Sequence, residues 1–570
     1  MSSVIQSLSL NGSAEALAWL SQLKGMESED IVTSVTPVLR DLASSPRPVY
    51  AQLGILETLR LPILQATHTL LAACAFRPVP MAETEVSQSR KILEMVHLMR
   101  DAYHSVFHAA SADPVNVPEV YAASDFRRDP TLRDRLAAFS SQIKSISPKL
   151  LISHRMISAQ ALYIESCFRL RVIIPEAAWD VLVDYTKQAK QADLINEGVM
   201  DSLNPEFRFN ARMAVIVPVL LRLARPESLG SSGFTLASQL SRRHAVAVKF
   251  RVEEGEEVVK PSPWPSVVTS TLNAIRLDTR NFVEEIRSHG AEFPSRSTNP
   301  TLGSDTRGLD TRFSHASLSS AVEELLLAWR SPVQSGPIWR KPLQQTLRIF
   351  PGFHAITGGL SKPAAIFDPN ATIRRSVYKY RRYDADYVPD KKAEDPTQHR
   401  LRLLMETAER WHIESESAQG LICSRSGRHP RLQLDQLGLV FLGENFQSNS
   451  LLLVRISSLR QTLPVENSQG SVQEIGIALL RGASTLISIR PDSGTFEDAF
   501  LLGVAPNGIS LVSSRLVDLD FEHSSLIVQM ARHKEGSVTE LLLDGALHRI
   551  QIGQVLFRGR DFDQMAFKLL

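Results

Sequence analysis

Trp411 to Gly420, Trp-His-Ile-Glu-Ser-Glu-Ser-Ala-Gln-Gly, reads as a strand that ends in a turn. The small polar side chains and the glycine of Ser415 to Gly420 could let a phosphate-bearing ligand approach the backbone. Arg374 to Tyr383 interleaves basic and aromatic residues, the composition that binds nucleotides or single-stranded nucleic acid by charge and stacking. The plainer reading is a solvated connection whose tyrosines pack on a barrel and whose arginines meet acids such as Asp384 and Asp386. His97, His104 and His108 share one helical face, and the last two have the spacing that can share a metal, but no glutamate lies between them and no further ligand is evident, so they read as ordinary histidines of an amphipathic helix. Gly358-Gly359 reads as a tight strand connection, since no Gly-Lys-Ser/Thr follows it. No GxSxG, no Cys and His dyad and no carboxylate pair is marked out by spacing, so catalysis has no positive support and no enzyme, metal site or cofactor is expected.

These residues sit in a chain of 570, too long for one ordinary core, and three or four domains are expected. Hydrophobic residues at 43% and charged residues at 22% exclude wholesale disorder and fibrous repeats, and a net charge of +2 argues against a nucleic-acid coat. Cys74, Cys167 and Cys423 form no disulfide framework or CxxC motif, which favours a reducing compartment. The first residues lack the basic and apolar regions of a secretory signal, and no run reaches the roughly 18 apolar residues of a membrane span. A cytoplasmic protein without a membrane span is expected.

The fold class expected is α+β and multidomain: a large all-α N-terminal region, then an antiparallel β-barrel and a further β-rich C-terminal module. Residues 1–235 form the helical domain, with helices over Ala14 to Leu42, Leu53 to Phe76 (one kinked helix at Pro62 or two), Val86 to Ala110, Leu132 to Arg171 and Ala177 to Asp193. Residues 236–335 are a mixed connecting region: a strand at Ala245 to Val252, helical period from Val267 to His289, a Ser/Thr/Pro/Gly-rich linker near 290–312 and a helix at Leu318 to Trp329. Residues 336–490 carry the barrel, with strands at Thr346 to Phe350 and Phe353 to Thr357, an insertion near 362–410 ending in a helix at His399 to Arg410, and strands near Trp411, Leu432, Leu451, Glu474 and Thr485. Residues 491–570 supply strand candidates at Ala499 to Val504, Leu526 to Met530, Glu540 to Leu543 and His548 to Phe557.

Ser415-Glu416-Ser417-Ala418-Gln419-Gly420 resembles the (Asp/Asn)-x-Ser-x-x-Gly motif of PilZ domains, the small bacterial β-barrels whose family binds cyclic di-GMP. Ser417 and Gly420 match their places, and Ser415 replaces the acidic or amide residue, losing its reach and second acceptor. Leu451-Leu-Leu-Val-Arg-Ile resembles the barrel strand after that turn, and Ile475-Gly-Ile the glycine on a late strand. The resemblance covers about a quarter of the chain, roughly Lys341 to Arg490. The family's Arg-x-x-x-Arg spacing is absent before the turn. Its place could be taken by Arg340 and Arg348, or by Arg374, Arg375, Arg381 and Arg382. Arginine suits the task because its planar fork holds phosphate oxygens bidentately and stacks on guanine.

The resemblance implies a non-enzymatic bacterial signalling effector with cyclic di-GMP as its ligand, bound by Ser415, Ser417, Gly420 and one arginine set, and a protein partner on the helical region. A scaffold whose degenerate barrel no longer binds nucleotide is the alternative, favoured by Ser415 and the missing arginine spacing. Nucleic acid is not expected as a partner.

Overall fold

The computed structural model describes residues 10–45, 47–112, 147–200, 208–255, 264–268, 273–289, 315–330, 346–360, 404–417, 420–427, 431–442, 452–463, 471–480, 482–491, 494–504, 520–543 and 546–570. The chain divides into two compact units, Met1–Arg77 with Met81–Ile338, and Pro78–Pro80 with Trp339–Leu570. The architecture is the α+β multidomain one expected, a helical N-terminal region followed by two closed β-barrels.

In the first unit the apolar periodicity becomes helices α1 (Ser13–Gln22), α2 (Ser28–Ser44), α3 (Val49–Cys74), α4 (Glu83–Ala112), α5 (Pro148–Arg169) and α6 (Glu176–Gln191). Helix α2 buries Val32, Val35, Leu39 and Leu42, one stripe at helical spacing, whereas α3 is apolar on nearly every side and lies in the interior as one continuous helix containing Pro62. α4 packs against α2, α3 and α5. The short strands β1 (Gly198–Met200) and β2 (Arg208–Asn210) pair ahead of α7 (Ala211–Leu223), whose N-cap Asn210 accepts the Met213 N–H at 2.8 Å. Then come α8 (Ser231–His244), the sheet β3 (Lys249–Glu254), β4 (Ser266–Val268) and β5 (Asn273–Asp278) in the order β3-β5-β4, and helices α9 (Arg280–His289) and α10 (His315–Arg330). Among the described residues, no helix is long and apolar enough to cross a membrane.

The second unit holds β6 (Thr346–Pro351), α11 (Phe353–Leu360), β7 (Glu409–Ser417), β8 (Gly420–Ser426), β9 (Leu437–Leu442), β10 (Leu452–Gln461) and β11 (Val472–Leu479), followed by β12 (Ala483–Pro491), β13 (Glu497–Gly503), β14 (Ser525–Gln529), β15 (Val538–Leu543), β16 (Ala546–Arg558) and β17 (Phe562–Leu569). β6 to β11 close one antiparallel barrel and β12 to β17 another. Both run through their strands in one cyclic order, first-second-third-sixth-fifth-fourth and back to the first. Leu347, Ile349, Trp411, Ile413, Cys423, Val454, Ile475 and Ile477 fill the first barrel, with Val79, whose backbone exchanges two hydrogen bonds with Leu432. Ile487, Leu501, Leu526, Leu541, Ile550 and Met565 help fill the second. A third cluster joins the outer faces of the two barrels: Phe353, Ile356, Leu437, Leu439 and Phe441 pack with Phe500, Leu502, Ile527 and Phe562. That shared face explains why Ala499-Phe-Leu-Leu is apolar without alternation, since β13 is buried on both sides.

Several local expectations are corrected. Phe353 to Thr357 is helix, not strand: Pro351 and Gly352, at φ +100°, end β6, and Phe353, Ile356 and Leu360 then recur at helical spacing on the buried side. Gly358-Gly359 lies inside that helix rather than in a strand connection, and a Cβ on Gly359 would stand 2.6 Å from Leu404 Cδ2. The helix expected over His399 to Arg410 is present among the described residues only at 404–407, because β7 begins at Glu409. Leu432 makes an isolated bridge to Val79, and the strand expected there begins at Leu437. The strand at Thr485 belongs to the second barrel. Val267 to His289 starts as strands β4 and β5 before turning helical; β5 is buried along almost its whole length, so its side chains give no alternation to read. The strand expected at Ala245 starts at Lys249, after a 3-10 turn. The linker near 290–312 and the insertion before residue 404 lie outside the described residues.

Candidate functional site

Among the described residues, the Ser415 to Gly420 stretch holds the end of β7 and the start of β8, which pair antiparallel. Ser417 pairs with Gly420, Glu416 with Leu421 and Ser415 with Ile422, and the register slips between Ile413 and Ser415, leaving a bulge at Glu414. Gly420 is fixed by geometry: its φ is +150°, and a Cβ there would lie 1.9 Å from the carbonyl oxygen of Ile477 on β11. Backbone therefore approaches backbone where only glycine fits. Ser415 is buried, 3% exposed, while Glu414 faces outward and accepts the Ser424 hydroxyl. Gly476, between Ile475 and Ile477, stands opposite Ser458 at a second register slip, where a Cβ would meet the Ser458 hydroxyl oxygen at 2.4 Å.

The structure does not bring Arg348 to this turn. Arg348 pairs with Arg410, and its Nη1 donates to the Met405 carbonyl at 3.1 Å. Ser415 lies five residues further along β7, about 16 Å at a strand's rise per residue. Arg340, Arg374, Arg375, Arg381 and Arg382 lie outside the described residues.

Away from the turn, the first barrel contains a polar layer that the sequence did not single out. The Arg425 guanidinium lies 4.7 Å from the centroid of the buried Trp411 ring, donates from Nε to Gln473 Oε1 at 3.0 Å and from Nη1 to Glu409 at 2.8 Å. Gln473 is fully buried and donates to the Gly427 carbonyl. Burial lowers the Arg425 pKa, against the opposing pull of Glu409. Arg425 continues the inward row of Cys423, and Gln473 that of Ile475; period-2 counting from those residues was the signal that could have found them.

The helical unit buries charge of its own. Glu57 on α3 accepts Arg155 Nε at 3.1 Å, Arg155 Nη2 at 3.1 Å and the Tyr103 hydroxyl at 2.6 Å, and the Glu57 and Arg155 side chains are wholly buried. Burial alone would raise the Glu57 pKa, but Arg155, Arg60 and the hydrogen bonds outweigh it and hold it low. The Tyr103 hydroxyl is driven far up by burial and by Glu57. Neighbouring His154 is buried, 2% exposed, and burial, with Arg155 and Arg60, pushes its pKa well below the usual histidine value. His104 and His108 face each other, Nε2 to Nε2 at 2.9 Å, and His97 meets Asp101 at 3.0 Å. Among the described residues, no group of three or more His, Cys, Asp or Glu is placed to hold a metal. Cys74, Cys167 and Cys423 are buried free thiols; burial pushes Cys167 and Cys423 up to about 12.

No curated protein and no solved structure matches the chain. Residues 14–254, the helices and the start of the sheet that follows them, match the family described as cyclic-di-GMP receptor FimW, N-terminal domain; the match covers less than half of the chain and lies outside the barrels.

Proposed function

We propose that the protein is a bacterial cyclic di-GMP-responsive signalling effector, with a PilZ-like first barrel and a helical region that contacts a protein partner. The observation that carries this reading is the match of residues 14–254 to the N-terminal domain of a cyclic di-GMP receptor family, a binding role rather than a catalytic one. The closed barrel, with its hairpin at Ser415 to Gly420, agrees with it. Ser417 and Gly420 form the mouth of the site, Ser415 supports it from within, and arginine forks grip the phosphates. Ligand then biases the chain between two states, of which one favours the partner, and its effect is limited by its difference in affinity for the two.

The position of Arg348 favours the set Arg374, Arg375, Arg381 and Arg382 over the pair Arg340 and Arg348 as the phosphate clamp. Calorimetric titration of the full chain with cyclic di-GMP tests this. Alanine at those four arginines is expected to abolish binding that Arg348→Ala leaves within a few fold of the original. Loss of binding on Arg348→Ala alone, with the four-arginine variant unaffected, would overturn the assignment.

One observation favours a second reading, a scaffold with a barrel that takes no nucleotide: Ser415, standing where the motif has an acidic or amide residue, is buried rather than exposed at the turn. In that case Ser417 and Gly420 substitutions change barrel stability and partner capture, and there is no ligand response to lose.

A further inference from the structure

Asp561 stands between β16 and β17 of the second barrel, yet both of its carboxylate oxygens accept backbone N–H groups of the first-barrel segment. Oδ2 accepts from Phe353 at 2.6 Å and Oδ1 from Leu437 at 3.0 Å. Phe353 is the first residue of α11, and the residue before it, Gly352, has no side chain with which to cap it. The cap of α11 therefore comes from the other barrel, with a carboxylate placed favourably at a helix N-terminus. Leu437 opens β9, so the same carboxylate fixes a strand and a helix at once.

Neighbouring contacts hold the same joint. The Arg560 N–H donates to the Asp435 carbonyl at 2.8 Å and its Nε to Gln433 Oε1 at 2.7 Å. Arg455 of β10 meets Asp435 at 3.4 Å and lies 4.2 Å from the centroid of the Phe557 ring on β16. Beneath these polar contacts lies the cluster of Phe353, Ile356, Leu439, Phe500, Leu502 and Phe562. The covalent link is short as well: β11 ends at Leu479 and β12 begins at Ala483, and the Leu480 N–H is tied to the Leu453 carbonyl at 3.0 Å.

We infer that the two barrels work as one rigid body latched by Asp561, so that a response of the first barrel carries the second with it and no hinge opens between them. Opening the joint would exchange two charge-assisted hydrogen bonds for bonds to water and expose an aromatic and aliphatic face. The inference stands independently of the ligand reading, because the latch consists of contacts between this chain's own residues alone.

Pulsed electron paramagnetic resonance on the full chain tests it, with spin labels on Val472→Cys of the first barrel and Leu547→Cys of the second, both exposed positions, while the native cysteines are buried. A single narrow distance distribution is expected, unchanged when cyclic di-GMP is added at high micromolar concentration. Adding Asp561→Ala should broaden it at least twofold, and the milder Asp561→Asn, which keeps one acceptor oxygen, should speed hydrogen exchange at the Leu437 amide about tenfold or more. A broad or two-peaked distribution in the protein with Asp561 intact, a shift of the distance with ligand, or Asp561 variants that leave both readouts unchanged would each overturn the latch. Failure of cyclic di-GMP to bind, measured calorimetrically on the same sample, bears on the ligand reading alone and leaves the ligand-free distances to decide this one.

Discussion

Gly420→Ala tests the hairpin most sharply. Gly420 combines φ +150° with a gap of 1.9 Å between the position of an added Cβ and the Ile477 carbonyl oxygen. Real Cβ atoms essentially never come within 3.0 Å of such an atom, so the two backbones must part by 3.0 − 1.9, about 1 Å. Ile477 pairs with Leu421 immediately beside the clash, and parting the strands weakens the ladder between β8 and β11 there. A backbone forced into a sparsely populated region costs roughly 1–3 kcal/mol and each weakened hydrogen bond about 1 kcal/mol, for a total of about 2–4 kcal/mol. Hydrogen exchange followed by mass spectrometry reads this locally: protection of β8 and β11 should fall about 30- to 1000-fold, with α2 to α6 unchanged. Protection in β8 and β11 equal to that of the unaltered chain would refute the close approach of the hairpin to β11.

Removing one partner of the buried ion pair by Glu57→Ala leaves Arg155 charged in the helical core and should cost roughly 3–5 kcal/mol in denaturant unfolding of that unit, whereas Glu57→Leu with Arg155→Met should cost much less. His154 is neutral in the fold with its pKa depressed, so its contribution to stability is complete above the unfolded value near 6.5 and is lost as pH falls from there towards the folded value. Melting temperature measured from pH 7.5 to 5 should fall less steeply in His154→Leu than in the unaltered chain, and parallel curves would exclude the role. Arg425→Leu orphans the buried Gln473 Oε1 and should destabilise the first barrel by about 1–3 kcal/mol, while Gln473→Leu added to it should recover part of the loss in the same unfolding assay.

Local pattern carried much of this fold into the sequence. The apolar stripe of α2 and the long runs of α3 and α4 were legible because one helix buries its own periodic face. Strands β13 to β16 were legible one by one, but β17 was not, nor was the closure that takes β12 into this barrel, because β14 pairs with β17 and β12 with β15 across intervening strands. α11 is not legible in the sequence because Phe-His-Ala-Ile-Thr is too short for periodicity to separate helix from strand, and its cap, Asp561, is 208 residues away. At the candidate site, Gly420 was marked by sequence alone. The distance between Arg348 and the turn was not, since it depends on the register of β6 against β7, which no spacing along the chain reveals.

A response of this chain to cyclic di-GMP is the step from which the proposed signalling role follows. Isothermal titration of cyclic di-GMP into the purified full chain measures it directly: a saturable binding heat at micromolar ligand, lost in Ser417→Ala with the barrel still folded, is the predicted result. Absence of any binding heat at high micromolar ligand would contradict it.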